Sequence, residues 1–328
     1  MAELSIIIIN YYSADFVMAC LHTIYEQTHS VAYEVIVVDN ASYDGCRDLL
    51  ARSYPDVIFV QSQSNLGFGR ANNFGTRHAS GKVLLFLNPD TEIRERAIDC
   101  LFEHFKKLEK PGAVGCRLLN SDGTLQRSCV QSFPTVLNQI LDADVLMRMF
   151  PKSRLWGAAA LFESTDTPVK VEVISGACLM IQKKVFESIG GFSPEYFMYA
   201  EDIDLCYKAR RAGLNNFYVG NVAVVHHAGC SNKHSISNFS NVMMRESVYR
   251  FLLKSHGCLY CLCYRSLLGG AAAIRMALLL VLYPAFRMRG KVSEWASSFR
   301  KWVGIMRWGL GLECWIRKYD SAKIESSC

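Results

Sequence analysis

The feature that most constrains this chain is an alternation within its first hundred residues, where short apolar runs are separated by stretches with helical spacing. Leu4–Ile9, Tyr33–Val38, Val57–Val60 and Val83–Leu87 are dense in Val, Ile and Leu and show little polar alternation. A strand with one wet face alternates, so runs of this kind belong in a sheet covered on both faces. Between them lie Ser13–Gln27, Asp44–Ser53 and Gly67–His78, each opened by a cap-type residue or a glycine. Strand, helix and strand recurring about every thirty residues predict an α/β fold with a parallel sheet of nucleotide-binding type.

Sheets of this kind bind ligands beyond the carboxyl ends of their strands. Here those ends are polar: Asn10-Tyr11-Tyr12 after the first run, Asp39-Asn40-Ala41-Ser42 with Asp44 after the second, and Asn88-Pro89-Asp90-Thr91 after the fourth. Neither the GxGxxG fingerprint after the first strand nor a GxxxxGK[ST] loop is present. The loop Asn65-Leu66-Gly67-Phe68-Gly69-Arg70-Ala71-Asn72 stands in their place. Its glycines either bring backbone N–H groups to a diphosphate or merely start a helix, and the spacing leaves both open. Residues 112–172, broken by Pro151 and Pro168, read as an insertion or lid outside the sheet core. Regularity returns at Val171–Ile181, then in a helix over Glu201–Arg211 with acids first and bases last, then in a strand over Phe217–Val225.

Glu201, Asp202 and Asp204 put three acids in four positions behind the aromatic residues Tyr196, Phe197 and Tyr199. Acids in a first helical turn ordinarily just complement the macrodipole. Crowded against aromatics, the same carboxylates gain basicity and suit a general base that deprotonates a hydroxyl. Asn88-Pro89-Asp90 is likewise either plain turn chemistry or a carboxylate holding Mg²⁺ or Mn²⁺ against a diphosphate. The pair His226-His227 ends a strand, so its two rings face opposite ways and at most one can serve as an imidazole ligand.

The order of these signals is more specific than any one of them. The segments SIIIINYYSADFVMACLHTI, VIVVDNASYDG, NLGFGRANNFG, LLFLNPDT, SGACLMIQKKVFESIGGFSPEYFMYAEDIDLCYKARRAG and VVHHAGCS follow one another over roughly residues 4–255. In that order the chain resembles the inverting glycosyltransferases of family 2, with the GT-A fold, and most closely the bacterial rhamnosyltransferase-like branch that builds surface polysaccharide. The resemblance implies that Asp39, with Asn10, Asn40 and the Ser42–Asp44 turn, cradles the base and ribose of a nucleotide-sugar. It implies that the loop bearing Asn65, Gly67, Arg70 and Asn72 lies near the nucleotide and diphosphate. Asp90 takes the second place of the family's DXD metal motif and Asn88 stands at the first, which loosens the expected dependence on Mg²⁺ or Mn²⁺. His226 matches the family's metal-ligating histidine, with His227 a one-residue slip away. Asp202 takes the place of the catalytic base, and Glu201 and Asp204 are expected to shape its pKa and grip the acceptor. One base and no carboxylate nucleophile imply transfer with inversion. The implied donor is dTDP-rhamnose, or another nucleotide-sugar on the same fold, and a non-catalytic nucleotide-sugar-binding subunit is the alternative outside enzymes.

Charge separates the tail from the body. Residues 256–328 hold eleven Lys/Arg and four Asp/Glu, a net of +7, whereas the first 255 hold twenty-five and twenty-six, a net of −1. A basic stripe for nucleic acid across the body is therefore not expected. Leu267–Phe286 is twenty residues long with the single charge Arg275, and four of the five tryptophans lie beyond it among Lys and Arg. This mixture suits a helix lying on an anionic leaflet, sending Arg275 out to headgroups, better than one spanning the bilayer. Thirteen scattered cysteines and no leader before MAELSIIIIN read as reduced thiols in the cytosol, with no zinc site expected at Cys258, Cys261 and Cys263. The expected organisation is a GT-A domain over 1–235, with 112–172 as an acceptor-side insertion, and a helical, membrane-associating region over 236–328. It is expected to act on a lipid-linked glycan at the cytoplasmic face of the bacterial inner membrane.

Overall fold

A computed structural model describes residues 2–141, 167–227 and 237–319. Trp156 and the Gly229–Ser231 end of the histidine motif lie outside the described residues. The elements run β1 (Leu4–Asn10), α1 (Ala14–Gln27), β2 (Tyr33–Asp39), α2 (Cys46–Ser53), β3 (Ile58–Gln61), α3 (Phe68–Thr76), β4 (Val83–Leu87), β5 (Thr91–Ile93), α4 (Ala97–Lys107) and β6 (Pro111–Leu119). After these come β7 (Val130–Gln131), α5 (Val136–Ile140), β8 (Val169–Val171), β9 (Val173–Ile174), β10 (Cys178–Gln182), α6 (Lys183–Ser188), α7 (Glu201–Arg211) and β11 (Asn215–His226). The tail is α8 (Ser237–His256), α9 (Cys258–Met288) and α10 (Val292–Gly309).

The first four strands lie in the order β3-β2-β1-β4, and each neighbouring pair is parallel. All of β1 is buried, as its unbroken apolar run requires. The sheet continues through β10, antiparallel to β4 and β6, then through β11, which pairs with β6 in parallel and with β5 and β8 antiparallel. It is thus a mixed sheet flanked by helices, parallel in the half that the sequence pattern predicts.

One expectation fails here. Residues 111–119, most of which were expected outside the core, form β6 in the middle of the sheet, between β10 and β11. The strand starts on Pro111, where no ladder N–H is needed, and it is built from small residues because neighbours crowd its backbone. A Cβ on Gly115 would sit 2.3 Å from Ile174 Cγ2, and one on Gly112 would sit 2.7 Å from Asn216 Oδ1. Close backbone approach replaces the Val/Ile run that marks the other strands. The stretch Val171–Ile181 is also divided, into β9 and β10, by a turn at Ser175–Ala177 that reaches the site described below.

The tail packs onto the body. Ser247 Oγ donates to Met198 O at 2.8 Å and Arg250 Nη1 to Glu195 O at 2.8 Å, seating α8 against the chain that leads into α7. Within the tail, α9 and α10 touch backbone to backbone, since a Cβ on Gly309 would lie 3.2 Å from Gly269 Cα. Arg275 departs from the expected outward direction. Its Nη2 donates to Ile140 O at 2.8 Å and its guanidinium lies 4.3 Å from the Trp302 ring centroid. The carbonyl end of α5 and an indole face are both electronegative and hold this cation within the protein. The 31-residue α9 is long and apolar enough to cross a membrane, and Leu259, Ile274, Leu278 and Val281 are exposed along it.

Because Ile174 is fully packed at β6, Gly115→Ala should cost about 1–3 kcal/mol of stability. A thermal melt checks this: a midpoint lowered by several degrees is expected, and an unchanged one would refute the packing described for this strand.

Candidate active site

A cavity of about 520 Å³ opens at the carboxyl ends of the parallel strands. It is walled by three groups of residues, drawn from the first strands, from the Asn88–Asp90 turn with His226, and from the start of α7 with α5 and α8.

At the β1–β2 edge Asn10 is the organising residue. Its Nδ2 donates to Asp39 Oδ1 (2.9 Å), Ser42 Oγ (3.1 Å) and Asp44 Oδ1 (2.9 Å), and its Oδ1 accepts from the backbone N–H and hydroxyl of Ser13. Asp44 Oδ2 in turn accepts the Ala14 N–H at 3.1 Å and so holds the start of α1. Asp39 also accepts from Ser42 Oγ, the Tyr43 N–H and Gln61 Nε2. Burial alone would raise its pKa, but these hydrogen bonds outweigh it and hold the carboxyl below the usual range. Asn10, Asp39, Ser42 and Asp44 therefore spend their polar atoms on one another, behind the wall. Tyr11, Ser13 and Asn40 face the cavity here.

The Asn65–Asn72 loop is similarly self-contained. The Leu66 N–H goes to Asn40 Oδ1, the Gly67 N–H to Asn65 Oδ1 and the Phe68 N–H to Phe197 O. A Cβ on Gly67, which has φ +76°, would fall 2.1 Å from Phe197 O, so only glycine fits. Instead of offering these N–H groups to a ligand, the loop clamps β2 to the segment leading into α7. Arg70 lies with its guanidinium 6.0 Å from the Phe197 ring centroid, and Asn72 Nδ2 is tied to Phe68 O at 3.0 Å within α3. Of this loop, Asn65, Gly67 and Phe68 line the cavity.

Across the cavity, β11 brings His226 to the Asn88–Asp90 turn. His226 Nε2 lies 3.3 Å from Asp90 Oδ1 and 3.1 Å from Asn88 Nδ2, and its Nδ1 lies 2.7 Å from Gln126 Oε1. Because the Gln126 carbonyl can only accept, Nδ1 carries the hydrogen, and Nε2, which faces the donating Asn88 amide, is the accepting nitrogen beside Asp90. Asn88 Oδ1 is buried without a hydrogen-bond partner among the described residues. One imidazole nitrogen, one carboxylate and one orphaned amide oxygen make a donor set that fits a hard divalent cation completed by phosphate and water. His227 points elsewhere, to Ser121 Oγ (2.7 Å) and Glu92 (3.4 Å), so of the two histidines His226 is the one that faces the Asn88–Asp90 turn. Gln126 escaped the sequence reading because it sits in the stretch read as a lid. No motif marks it.

The helix α7 starts after Tyr199 and Ala200, two successive non-glycine residues with φ of +70° and +61°. This turn sets Glu201 and Asp202 into the cavity wall. Asp202 Oδ2 accepts the Gly176 N–H at 2.9 Å and Oδ1 its neighbour's, Ile203 N–H, at 2.8 Å. Desolvation raises the pKa of Asp202 against the pull of these N–H groups. Glu201 is also pushed up, first by burial and then by the Asp202 charge, and its Oε2 has no hydrogen-bond partner among the described residues. The two carboxyls titrate as a pair, and the N–H groups of Gly176 and Ile203 favour the negative charge on Asp202.

Asp204 differs from its sequence neighbours. Fully buried on the far side of the helix, it is bonded by Ser193 Oγ and lies 3.3 Å from Lys208 Nζ and 2.9 Å from Lys254 Nζ. With 3.6 residues per turn, a position two after Asp202 points the other way, into the core, so this carboxylate anchors helices and does not meet an acceptor.

The chain is similar in sequence and fold to known glycosyltransferases. The sequence profile described as Glycosyl transferase family 2 matches residues 5–190. The chain is 29% identical over 260 residues, covering 75% of itself and 83% of its relative, to the N-acetylglucosaminyl-diphospho-decaprenol L-rhamnosyltransferase of Mycobacterium tuberculosis. It is 31% identical over 217 residues to a low-salt glycan biosynthesis hexosyltransferase of Haloferax volcanii, covering 65% of itself and 63% of that relative. Among solved structures, a mannosyltransferase of Pyrobaculum calidifontis in complex with GDP-Man and Mn²⁺ superposes with a TM-score of 0.56 at 18% identity, over 94% of this chain and 87% of that one. That likeness bears on the fold alone, which it shares. A profile match over more than half the chain, on a GT-A sheet whose strand ends converge on one polar cavity, makes this protein a member of glycosyl transferase family 2 and a glycosyltransferase.

Proposed function

We propose that the protein transfers L-rhamnose from dTDP-rhamnose, with inversion, to a hydroxyl of a lipid-linked glycan during cell-surface polysaccharide synthesis. The observation that carries this reading is the placement of one charged carboxylate, Asp202, in the same cavity as the Asp90–His226 pair. The name of the mycobacterial relative supports the sugar and the lipid-diphosphate acceptor. The Haloferax hexosyltransferase supports a second reading, the same reaction with another hexose.

The nucleotide end of the donor belongs against Tyr11, Ser13, Asn40 and Asn65, with Asn10, Asp39, Ser42 and Asp44 shaping that wall from behind. Asp90 and His226 are the residues to hold Mg²⁺ or Mn²⁺, with Asn88 Oδ1 beside them; the cation would offset charge on the departing diphosphate. Gln126 keeps the His226 lone pair turned toward that site. Asp202 takes the proton from the acceptor hydroxyl as its oxygen bonds to the anomeric carbon and the carbon–oxygen bond to the diphosphate breaks. The Gly176 N–H fixes the orientation of the base, and protonated Glu201 keeps a second negative charge out of the site. With a single base on the acceptor side, the displacement inverts the anomeric centre.

Residues 1–235 make up the transferase unit in this reading, and 236–328 attach it to the cytoplasmic face of the inner membrane. The exposed apolar side of α9, flanked by Arg287, Arg289 and Lys291, supports attachment to an anionic leaflet.

Three outcomes test this account. Asp202→Asn should lower transfer about 10³-fold while dTDP-rhamnose, with Mn²⁺, still raises the thermal midpoint. Transfer that survives the substitution would remove Asp202 from the mechanism, and a wild-type protein stabilised only by UDP-hexoses would favour the second reading. The raised pKa of Glu201, about 8, means the folded chain holds a proton that the unfolded chain has released, so its contribution to stability is complete below about 4.3 and is lost as pH rises through 8. Glu201→Gln should therefore gain thermal stability on the wild type between pH 5 and pH 9, and a constant difference across that range would contradict the assignment. The full chain should float with phosphatidylglycerol vesicles and not with phosphatidylcholine alone, and Val281→Asp should reduce flotation. Binding indifferent to both would place the attachment elsewhere.

A further inference from the structure

Arg245 is the single lysine or arginine among the described residues that line the cavity. It sits in α8, beyond the end of the family match at residue 190, and is only 5% exposed. Its Nη1 donates to Gln139 Oε1 at 2.9 Å, which ties it to α5, whose Asn138 and Gln139 share the same wall. This is the end of the cavity that adjoins the tail. The first N–H of α5, from Val136, donates to Tyr260 Oη of α9 at 3.1 Å, and the last carbonyl of α5, Ile140 O, accepts from Arg275 of α9. The nucleotide-side residues Tyr11, Asn40 and Asn65 come instead from the strand ends of the body.

We propose that the α5–α8 end of the cavity is a diphosphate subsite for the lipid-linked acceptor, with the Arg245 guanidinium binding the phosphate oxygens. The inference rests on the functional reading above and adds to it the residue that recognises the acceptor's charged linkage. A guanidinium remains protonated even when buried and presents paired N–H groups that match two phosphate oxygens, which a lysine cannot reproduce. Gln139 holds the guanidinium at this wall through its bond to Nη1. The location suits the ligand: a diphosphate on a membrane lipid stays at the level of the headgroups, and α5 is bonded at both ends to the helix that carries the exposed apolar face. The donor's diphosphate is the other source of the same chemistry, and it would be met from the Asp90–His226 side.

The test uses the full chain in detergent, with farnesyl diphosphate, farnesol and dTDP as probes. Wild type should bind farnesyl diphosphate at least tenfold more tightly than farnesol, with dTDP bound alongside. Arg245→Lys and Arg245→Met should weaken farnesyl diphosphate about ten- to a hundredfold, leaving farnesol and dTDP within twofold. Thermal melts establish that each variant is folded, and the lysine variant keeps the test intact if the methionine one is not. Competition between farnesyl diphosphate and dTDP, with both weakened together, would assign Arg245 to the donor and overturn the proposal. So would a folded variant with unchanged affinity, or a wild type that binds farnesol equally well. Failure of sugar transfer from every donor, with the binding pattern as expected, would defeat the functional reading and leave the diphosphate subsite standing.

Discussion

The Asp204 carboxylate is the interaction around which the two parts of the molecule are joined. It is wholly removed from water, a state that costs several kcal/mol unless the charge is paired and hydrogen-bonded. Ser193 and Tyr196 come from the turn before α7, Lys208 from α7 itself and Lys254 from α8. Burial alone would lower the pKa of Lys254, but the Glu195 and Asp204 carboxylates outweigh it, so this ammonium stays charged. One buried anion thereby fixes the helix that carries Asp202 against the helix that carries Arg245. The placement of both residues in one cavity follows from that joint.

A second close contact does the same for the nucleotide side. Gly67 passes Phe197 O with no room for a side chain, and the Phe68 N–H bonds that carbonyl at 2.9 Å. The clamp spends the N–H groups of Leu66, Gly67 and Phe68 on structure. What it gains is a fixed relation between the ends of the parallel strands and the turn at Tyr199 and Ala200, whose left-handed backbone is held by packing on both sides.

Electrostatics then divides labour between adjacent acids. Glu201 and Asp202 share a low-dielectric wall, and two charges cannot both persist there. Asp202 meets two backbone N–H groups, while Glu201 has an oxygen with none among the described residues, so the proton settles on Glu201. The difference between them comes from the Ser175–Ala177 turn, which supplies Gly176, and not from anything intrinsic to two neighbouring carboxylic acids.

The parallel half of the sheet, the helix over Glu201–Arg211 and the polar strand ends were legible in the sequence because each depends on local pattern. Apolar runs encode burial on both faces, and acids before bases encode a helix direction. The order of six short segments carried the family for the same reason, since motif and spacing are properties of the chain alone. Strand β6 was illegible because glycine and alanine there satisfy distant neighbours, Ile174 and Asn216, and leave no run to read. Asp204 and Asp202 look alike in sequence, and only the direction each side chain takes from the helix sends one into the core and the other into the cavity. Gln126, Gly176 and Arg245 carry no motif at all. Their roles arise where chain segments far apart in sequence meet, and no local pattern records which donors and charges long-range packing will place side by side.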